Sequence, residues 1–194
     1  MNVAINAVFI LKENILFIEE WIDYHLSIGF NSFYLYDNSK VNKITGWDTK
    51  HSKTIIFGKT NKHNINYDKL VDMDEDQIHE KINSIQDKYK PHVNIVEWSP
   101  TDDDGNILYK QEQAYMDCLN RMKQDKIDWC ATIDMDEFIV LKEDISIGTF
   151  LTQIESNYTG VKLSQYKFSS RFKNLDKKVL DITDHVPGYI GQSS

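Results

Sequence analysis

The chain has 194 residues, the size of one domain, and its 22 basic and 30 acidic side chains give a formal net charge of −8. This acidic balance argues against nucleic acid as a partner, because phosphate backbones are bound by basic surfaces. No apolar run approaches the roughly 20 residues that a membrane-spanning helix needs, so we expect no integral membrane segment. Neither Cys118 nor Cys130 belongs to a C-x-x-C motif, and two reduced thiols without a signal peptide favour a cytoplasmic location.

The first forty residues predict a strand, a helix and a second strand. The apolar run at 3–11 is typical of a buried strand, and 32–38 is a second strand rich in aromatic residues. Between them, an amphipathic pattern predicts a helix that Asn14 caps and that Gly29 ends. The unit is long enough for the crossover that joins two parallel strands.

The rest of the chain continues the alternation after residues 39–92, a region in which only 71–90 indicates a helix. The predicted elements are, in order, strand 93–98, helix 108–124, strand 129–134, strand 138–141, helix 146–157 and strand 160–169. Strands that alternate with helices indicate an α/β fold with a mostly parallel central sheet and flanking helices. We interpret residues 1–194 as a single domain.

Three acids separate two apolar runs in the stretch WCATIDMDEFIVL, residues 129–141. Asp134 closes the predicted strand and Asp136 follows after one spacer, so both side chains point the same way if the chain is extended. Ligands of parallel sheets bind beyond the carboxyl ends of the strands. Two converging carboxylates there suit a hard cation such as Mg²⁺ or Mn²⁺, which would let an acidic protein hold a diphosphate.

Each of these candidates also has a purely structural interpretation. An isolated D-x-D is usually a solvated turn, although apolar runs on both sides favour a position at a sheet edge. Asp37 could only cap a turn with Asn38 and Ser39, and Gln111 could only begin a helix. His25 lies beside the apolar face of its helix, which favours a core side chain with satisfied hydrogen bonds over a catalytic residue.

Several stretches together resemble a known family. KEN, FIEEWIDYHLSIGF and FYLYDNS, then KQEQAYMDCLNR and WCATIDMDEFIVL, occur in the order seen in nucleotide-sugar glycosyltransferases of the family 2 and family 92 type. The resemblance covers residues 3 to about 170, with a weakly matched gap at 39–92. It implies the GT-A fold, a Rossmann-like α/β sandwich.

The resemblance also implies roles for individual residues. Asp134 and Asp136 match the D-x-D that binds the metal and the nucleotide diphosphate, with Asp136 the more direct metal ligand. Asp37 matches an acid that contacts the nucleoside. Gln111 matches a glutamine that lines the same pocket, and Lys12 matches a basic residue at the end of the first strand.

The resemblance is weaker at two places. Relatives often carry Lys-Asn-Glu at the end of the first strand, where this chain has Lys12-Glu13-Asn14, so no role is carried over to Glu13 or Asn14. Residues 1–141 match the donor-binding half, and 142–194 would form a partial or minimal acceptor side. There Asp181 and Asp184 are the candidates for the general base, and His185 is a candidate third metal ligand.

We therefore expect a glycosyltransferase that depends on Mn²⁺ or Mg²⁺ and transfers a sugar from a UDP-sugar to a hydroxyl of a carbohydrate or glycoconjugate acceptor. Relatives mostly invert the anomeric centre, which implies a single displacement. A homo-oligomer is possible.

Two alternatives remain open at this point. The first is a non-catalytic module that binds a nucleotide sugar. The second is a phosphohydrolase of the haloacid dehalogenase type, which also places D-x-D after a strand. That class requires Thr or Val where this chain has Phe138, and it carries the motif on its first strand.

Overall fold

The computed structural model describes residues 1–41, 73–167 and 189–190. The chain divides into two compact units, Met1–Gly148 and Thr149–Ser194. The elements of the described residues are, in chain order, β1 (Val3–Phe9), α1 (Leu11–Asn14), α2 (Ile18–Ser27), β2 (Ser32–Asp37), α3 (Glu75–Lys88), β3 (Val93–Glu97), α4 (Gln111–Gln124), β4 (Trp129–Thr132), α5 (Ile147–Ile154), β5 (Tyr166–Lys167) and β6 (Tyr189–Ile190).

The first unit is built on a four-stranded sheet in the order β3-β2-β1-β4, and every neighbouring pair is parallel. The register aligns Val3 with Trp129 and Phe9 with Asp37, so the carboxyl ends of the strands share one edge of the sheet. The predicted α/β fold with a parallel sheet and flanking helices is confirmed. In the second unit, β5 and β6 pair antiparallel.

Helices cover both faces of the sheet, and for this reason all seven residues of β1 are buried. On one face, the side chains of the strands pack against α4. This cluster consists of Ala4, Val8, Tyr34, Tyr36, Ala114 and Cys118. On the other face, Trp21 of α2 meets Phe33 of β2 edge to face, with 6.0 Å between the ring centroids. Successive residues of a strand point to opposite faces, so one strand serves both layers.

The two cysteine side chains are free thiols, with Cys118 buried and Cys130 half-buried. Cys130 packs against the cluster that contains Cys118, between the sheet and α4. A membrane-crossing helix would have to be long and apolar, and the described part of the chain contains none.

The helix predicted from Asn14 onward is divided in the structure. α1 is a separate turn, and Asn14 is its last residue rather than the cap of α2. Its Oδ1 atom instead accepts a hydrogen bond from the backbone N–H of Ile10 at 3.0 Å. The predicted cap is therefore wrong. A turn at 15–17 separates α1 from α2.

Three predictions about strands later in the chain are also wrong. β4 ends at Thr132 and not at Asp134. Residues 138–141 form no strand, and the backbone N–H and carbonyl of Ile139 bond to side chains of α2 instead of to a neighbouring strand. Of the predicted strand 160–169, only Tyr166–Lys167 is a strand within the described residues.

Gly29 ends α2 as predicted, and its φ of +103° is a conformation that side chains disfavour. A Cβ at this position would lie 3.1 Å from Cβ of Ser146, whereas a Cβ at Gly105, with a φ of +80°, meets nothing within 4 Å. We expect Gly29→Ala to lower the free energy of unfolding by about 2 kcal/mol and Gly105→Ala by about 1 kcal/mol. Urea unfolding of both variants measures this, and equal losses would mean that the contact with Ser146 costs nothing.

Candidate active site

The segment after β4 exposes both D-x-D acids to solvent. Asp134 and Asp136 are exposed, while Met135 between them is only 3% exposed and Ile133 is 9% exposed. Met135 and Asp136 are the central residues of a turn, so the extended chain expected from the D-x-D spacing is not observed, and the turn itself leaves both acids exposed. The two carboxylates therefore project from the carboxyl edge of the sheet, although Asp134 lies two residues beyond the strand.

A tight turn fixes the backbone of this segment. The N–H of Glu137 donates to the carbonyl of Asp134, and the Glu137 carboxylate accepts from the N–H of Asp134, both at 3.0 Å. Glu137 is thus tied back to its own turn. The two reciprocal bonds hold Asp134 and Asp136 on one short, closed piece of chain.

Gln111 reaches Asp134 from the first turn of α4. Its Nε2 atom donates to Oδ1 of Asp134 at 2.9 Å and also to the hydroxyl of Tyr115. The structure thus brings together two of the predicted site residues that are 23 positions apart in sequence. Whether Gln111 also lines a nucleotide pocket stays a prediction.

Two tyrosines that the sequence did not indicate line the acid segment. Burial, with the charge of Asp134 as the next cause, raises the pKa of Tyr109 to about 12. The same two causes raise the pKa of Tyr115. Both phenols therefore stay protonated at neutral pH, as polar groups beside the carboxylates. The spacing of Gln111 and Tyr115, one helical turn apart, is the sequence signal that could have identified the second tyrosine.

A cleft of about 660 Å³ opens at the carboxyl ends of β1, β2 and β3. Its lining includes Lys12, Glu13 and Asp37 on one side and Ile78 and Ile82 of α3 on the other. Two predicted residues, Lys12 and Asp37, thus share one concavity of the size that small ligands occupy. Asp134 and Asp136 do not line this cleft themselves.

The carboxylate of Asp37 is held by Ser39. Its Oδ1 atom accepts from the backbone N–H of Ser39 at 2.9 Å and from the hydroxyl as well. The Ser39 hydroxyl in turn accepts from the N–H of Leu11 at 2.9 Å, which joins the ends of β1 and β2. Burial raises the pKa of Asp37, and the bonds from Ser39 oppose that shift. Asp37 therefore does close a turn, and it also faces the cleft.

Glu13 joins the cleft to the acid segment, and the sequence comparison gave it no role. It lines the cleft, and burial together with the nearby charge of Asp136 raises the pKa of its carboxyl to about 7. Its position follows from α1, the turn that carries it over the sheet edge. The available sequence signal was an acid directly after Lys12 at the end of a strand.

The raised pKa of the half-buried Glu13 carboxyl makes the metal-free protein less stable at high pH. An unfolded Glu ionises near pH 4.5, so the neutral side chain favours folding below that pH, and the benefit is lost as pH rises through about 7. We expect Glu13→Gln to raise the free energy of unfolding at about pH 8 by about 1–2 kcal/mol, a value discounted for partial exposure. Chemical unfolding in a chelator measures it, with Glu80→Gln on the exposed face of α3 as the control.

The acids stand where the strand order of the sheet reverses. β1 has β2 on one side and β4 on the other, and the chain reaches β4 only after β3. Crevices at such switch points are the usual ligand sites of parallel α/β sheets. Lys12 and Glu13 follow β1, and Asp134 and Asp136 follow β4, so the two groups flank this position. Asp181, Asp184 and His185 lie outside the described residues.

The comparisons with known proteins agree with this arrangement. A family model described as glycosyltransferase family 92 matches residues 75–187, which is more than half of the chain. Searches of curated proteins and of solved structures found no match. The matched region contains α3, β3, α4, β4 and the D-x-D segment, and the parallel sheet fits a Rossmann-like glycosyltransferase. On these grounds the chain belongs to glycosyltransferase family 92.

Proposed function

We propose that this chain is a metal-dependent glycosyltransferase of the GT-A type that uses a UDP-sugar as donor. The observation that supports this most is that Lys12, Glu13 and Asp37 line a cleft at the carboxyl ends of β1 and β2, and that the D-x-D acids follow β4, the strand next to β1. The cleft and the D-x-D pair are therefore neighbouring parts of one carboxyl edge. A nucleoside diphosphate sugar needs both, a pocket for the nucleoside and a cation site for the diphosphate.

The residues at this edge fit a divalent cation by their chemistry. Asp134 and Asp136 offer carboxylate oxygens, the ligands that Mg²⁺ and Mn²⁺ take, and neither forms a salt bridge within the described ranges. In that part of the chain no three His, Cys, Asp or Glu side chains gather as a metal site. Diphosphate and water oxygens would then complete the coordination. A bound cation would neutralise the charge of the departing diphosphate.

The remaining roles fall to side chains of the cleft. Lys12 would offset phosphate charge, and Asp37 would accept hydrogen bonds from hydroxyls of the nucleoside. An acceptor hydroxyl, on a carbohydrate or glycoconjugate, would attack the anomeric carbon in one inverting displacement. A carboxylate base, with Asp181 and Asp184 as candidates, would take its proton. The division into a donor half, 1–141, and an acceptor side, 142–194, belongs to the same proposal.

Membership of family 92 argues against the haloacid dehalogenase alternative, which would require an aspartyl-phosphate. The non-catalytic alternative makes a different prediction from ours. A binding module would hold UDP and Mn²⁺ without releasing UDP from any UDP-sugar. The two can therefore be separated by measuring binding and turnover on the same preparation.

The test is calorimetry of the wild-type protein with UDP, with and without Mn²⁺, followed by an assay of UDP release from a panel of UDP-sugars. We expect UDP to bind at least tenfold more tightly with Mn²⁺, and ADP and GDP to bind less tightly than UDP under the same conditions. UDP release would support catalysis over the binding module. UDP affinity that does not depend on a divalent cation would refute the metal-dependent mechanism.

A further inference from the structure

Three side chains of one helix, α2, bond to the segment that follows the D-x-D acids. Residues 137–139 belong to no strand or helix, so their backbone groups lack the partners that regular structure supplies. Three side chains of α2 provide those partners. Trp21, Tyr24 and His25 lie within one and a half turns of each other, on the side of α2 that faces the segment.

Each of the three side chains bonds to a backbone atom of the segment. The indole N–H of Trp21 donates to the carbonyl of Glu137 at 2.7 Å. The hydroxyl of Tyr24 donates to the carbonyl of Ile139 at 2.9 Å. The N–H of Ile139 donates to Nε2 of His25 at 3.3 Å. Buried carbonyl and N–H groups are costly to leave without partners, so these bonds restrict where the segment can lie.

His25 can accept this bond in only one tautomer. Its Nδ1 atom lies 2.8 Å from the carbonyl of Trp21 and must carry the proton, which leaves Nε2 as the acceptor. The ring is fully buried, and burial lowers its pKa to about 4, so it is neutral at physiological pH. Phe138 stacks on it at 5.8 Å with 18° between the planes. The three consecutive residues 137–139 are thus all fixed by α2.

We propose that Trp21, Tyr24 and His25 are positioning residues for the D-x-D acids. The hydrogen bonds between Asp134 and Glu137 close a turn, and α2 holds the far end of that turn at the Glu137 carbonyl. Gln111 holds Asp134 at the start of the turn, and α2 holds the turn at its other end, so we expect the carboxylates of Asp134 and Asp136 to lose part of their fixed position when α2 releases the segment. Groups that bond directly to metal ligands typically affect metal affinity 10–100-fold, and ligands must stay within about 0.5 Å of their working geometry, so we expect an effect at the lower end of that range from side chains that act through the backbone of the segment.

The inference rests on the proposed function, but its test contains a part that does not. Tyr24→Phe removes one hydroxyl and little else. Its matched control is Tyr89→Phe, which also removes a hydroxyl that donates to a backbone carbonyl, that of Glu19 at 3.3 Å, away from the acid segment. A second pair, His25→Leu and His25→Gln, removes the acceptor or replaces it by an amide oxygen.

The first measurement is amide hydrogen exchange of the metal-free protein. We expect peptides that cover 134–141 to exchange at least tenfold faster in Tyr24→Phe and His25→Leu, and close to the wild-type rate in Tyr89→Phe and His25→Gln. This result does not depend on any ligand. Unchanged exchange in both Tyr24→Phe and His25→Leu would overturn the positioning role whatever the protein binds.

The second measurement is the affinity of the same variants for the Mn²⁺–UDP complex. We expect about tenfold weaker binding in Tyr24→Phe than in Tyr89→Phe, and recovery in His25→Gln relative to His25→Leu. If the wild-type protein binds no Mn²⁺–UDP, the proposed function fails and the exchange rates alone decide the inference. If the wild type binds it and Tyr24→Phe binds equally well, the inference fails and the proposed function stands.

Discussion

Replacing Asp136 with asparagine is expected to lower the rate of UDP release from the UDP-sugar donor about 1000-fold. A carboxylate ligand of the cation stabilises charge on the leaving diphosphate, an effect worth several kcal/mol, and each 1.36 kcal/mol changes the rate tenfold. The amide keeps the size of the side chain and removes its charge. Initial rates with saturating Mn²⁺ measure the effect, and Asp103→Asn, an exposed acid in the loop before α4, is the control.

We expect Asp136→Asn to leave the fold intact, so that a lower rate can be attributed to the lost carboxylate and not to unfolding. Asp136 is exposed, and its charge contributes to the raised pKa of Glu13. Removing that charge relieves repulsion, so the metal-free variant should be at least as stable as the wild type at about pH 8. A rate within tenfold of the wild type in a folded Asp136→Asn protein would contradict the assignment of Asp136 as a metal ligand.

The sheet could be predicted from the sequence because its strands are locally distinct. Each is an apolar, β-prone run bounded by polar residues, and 3–11, 32–38 and 93–98 contain the observed β1, β2 and β3. Because the alternating strands and helices indicate a parallel sheet, they also indicate that the carboxyl ends of the strands meet at one edge. Chain order and general rules for parallel sheets were enough to indicate that the D-x-D acids lie at that edge, whereas Asp37 was assigned to the site from the family resemblance.

The errors arose where partners distant in sequence decide the structure. Residues 138–141 have the composition of a strand, but the backbone of Ile139 bonds to Tyr24 and His25, more than 110 positions earlier. Glu13 was given no role because the chain reads Lys-Glu-Asn where relatives often read Lys-Asn-Glu, and α1, the four-residue turn that places it, has no periodic signal. In both cases the tertiary environment around this site, and not the local sequence pattern, decides the structure.

His25 is expected to make the protein less stable in acid, by about 3 kcal/mol between pH 7 and pH 4. Burial lowers its pKa to about 4, and an unfolded His titrates near 6.5, so between these values the unfolded chain binds more protons. The contribution of neutral His25 to the free energy of unfolding is therefore fully present above about pH 6.5 and is lost as pH falls toward 4. Protonation of Nε2 would also break the bond from the N–H of Ile139.

The difference between the wild type and His25→Gln isolates this effect from the other titrating groups. Glu13, whose pKa is raised, changes stability in the opposite direction over the same pH range, and it does so equally in both proteins. We expect the wild type to have a higher free energy of unfolding than His25→Gln at pH 7 and to lose this difference as pH falls to 4. Urea unfolding of both proteins at several pH values measures it. A difference that does not vary with pH would mean that His25 becomes protonated inside the folded protein without cost, and the neutral tautomer that holds Ile139 would then be wrong.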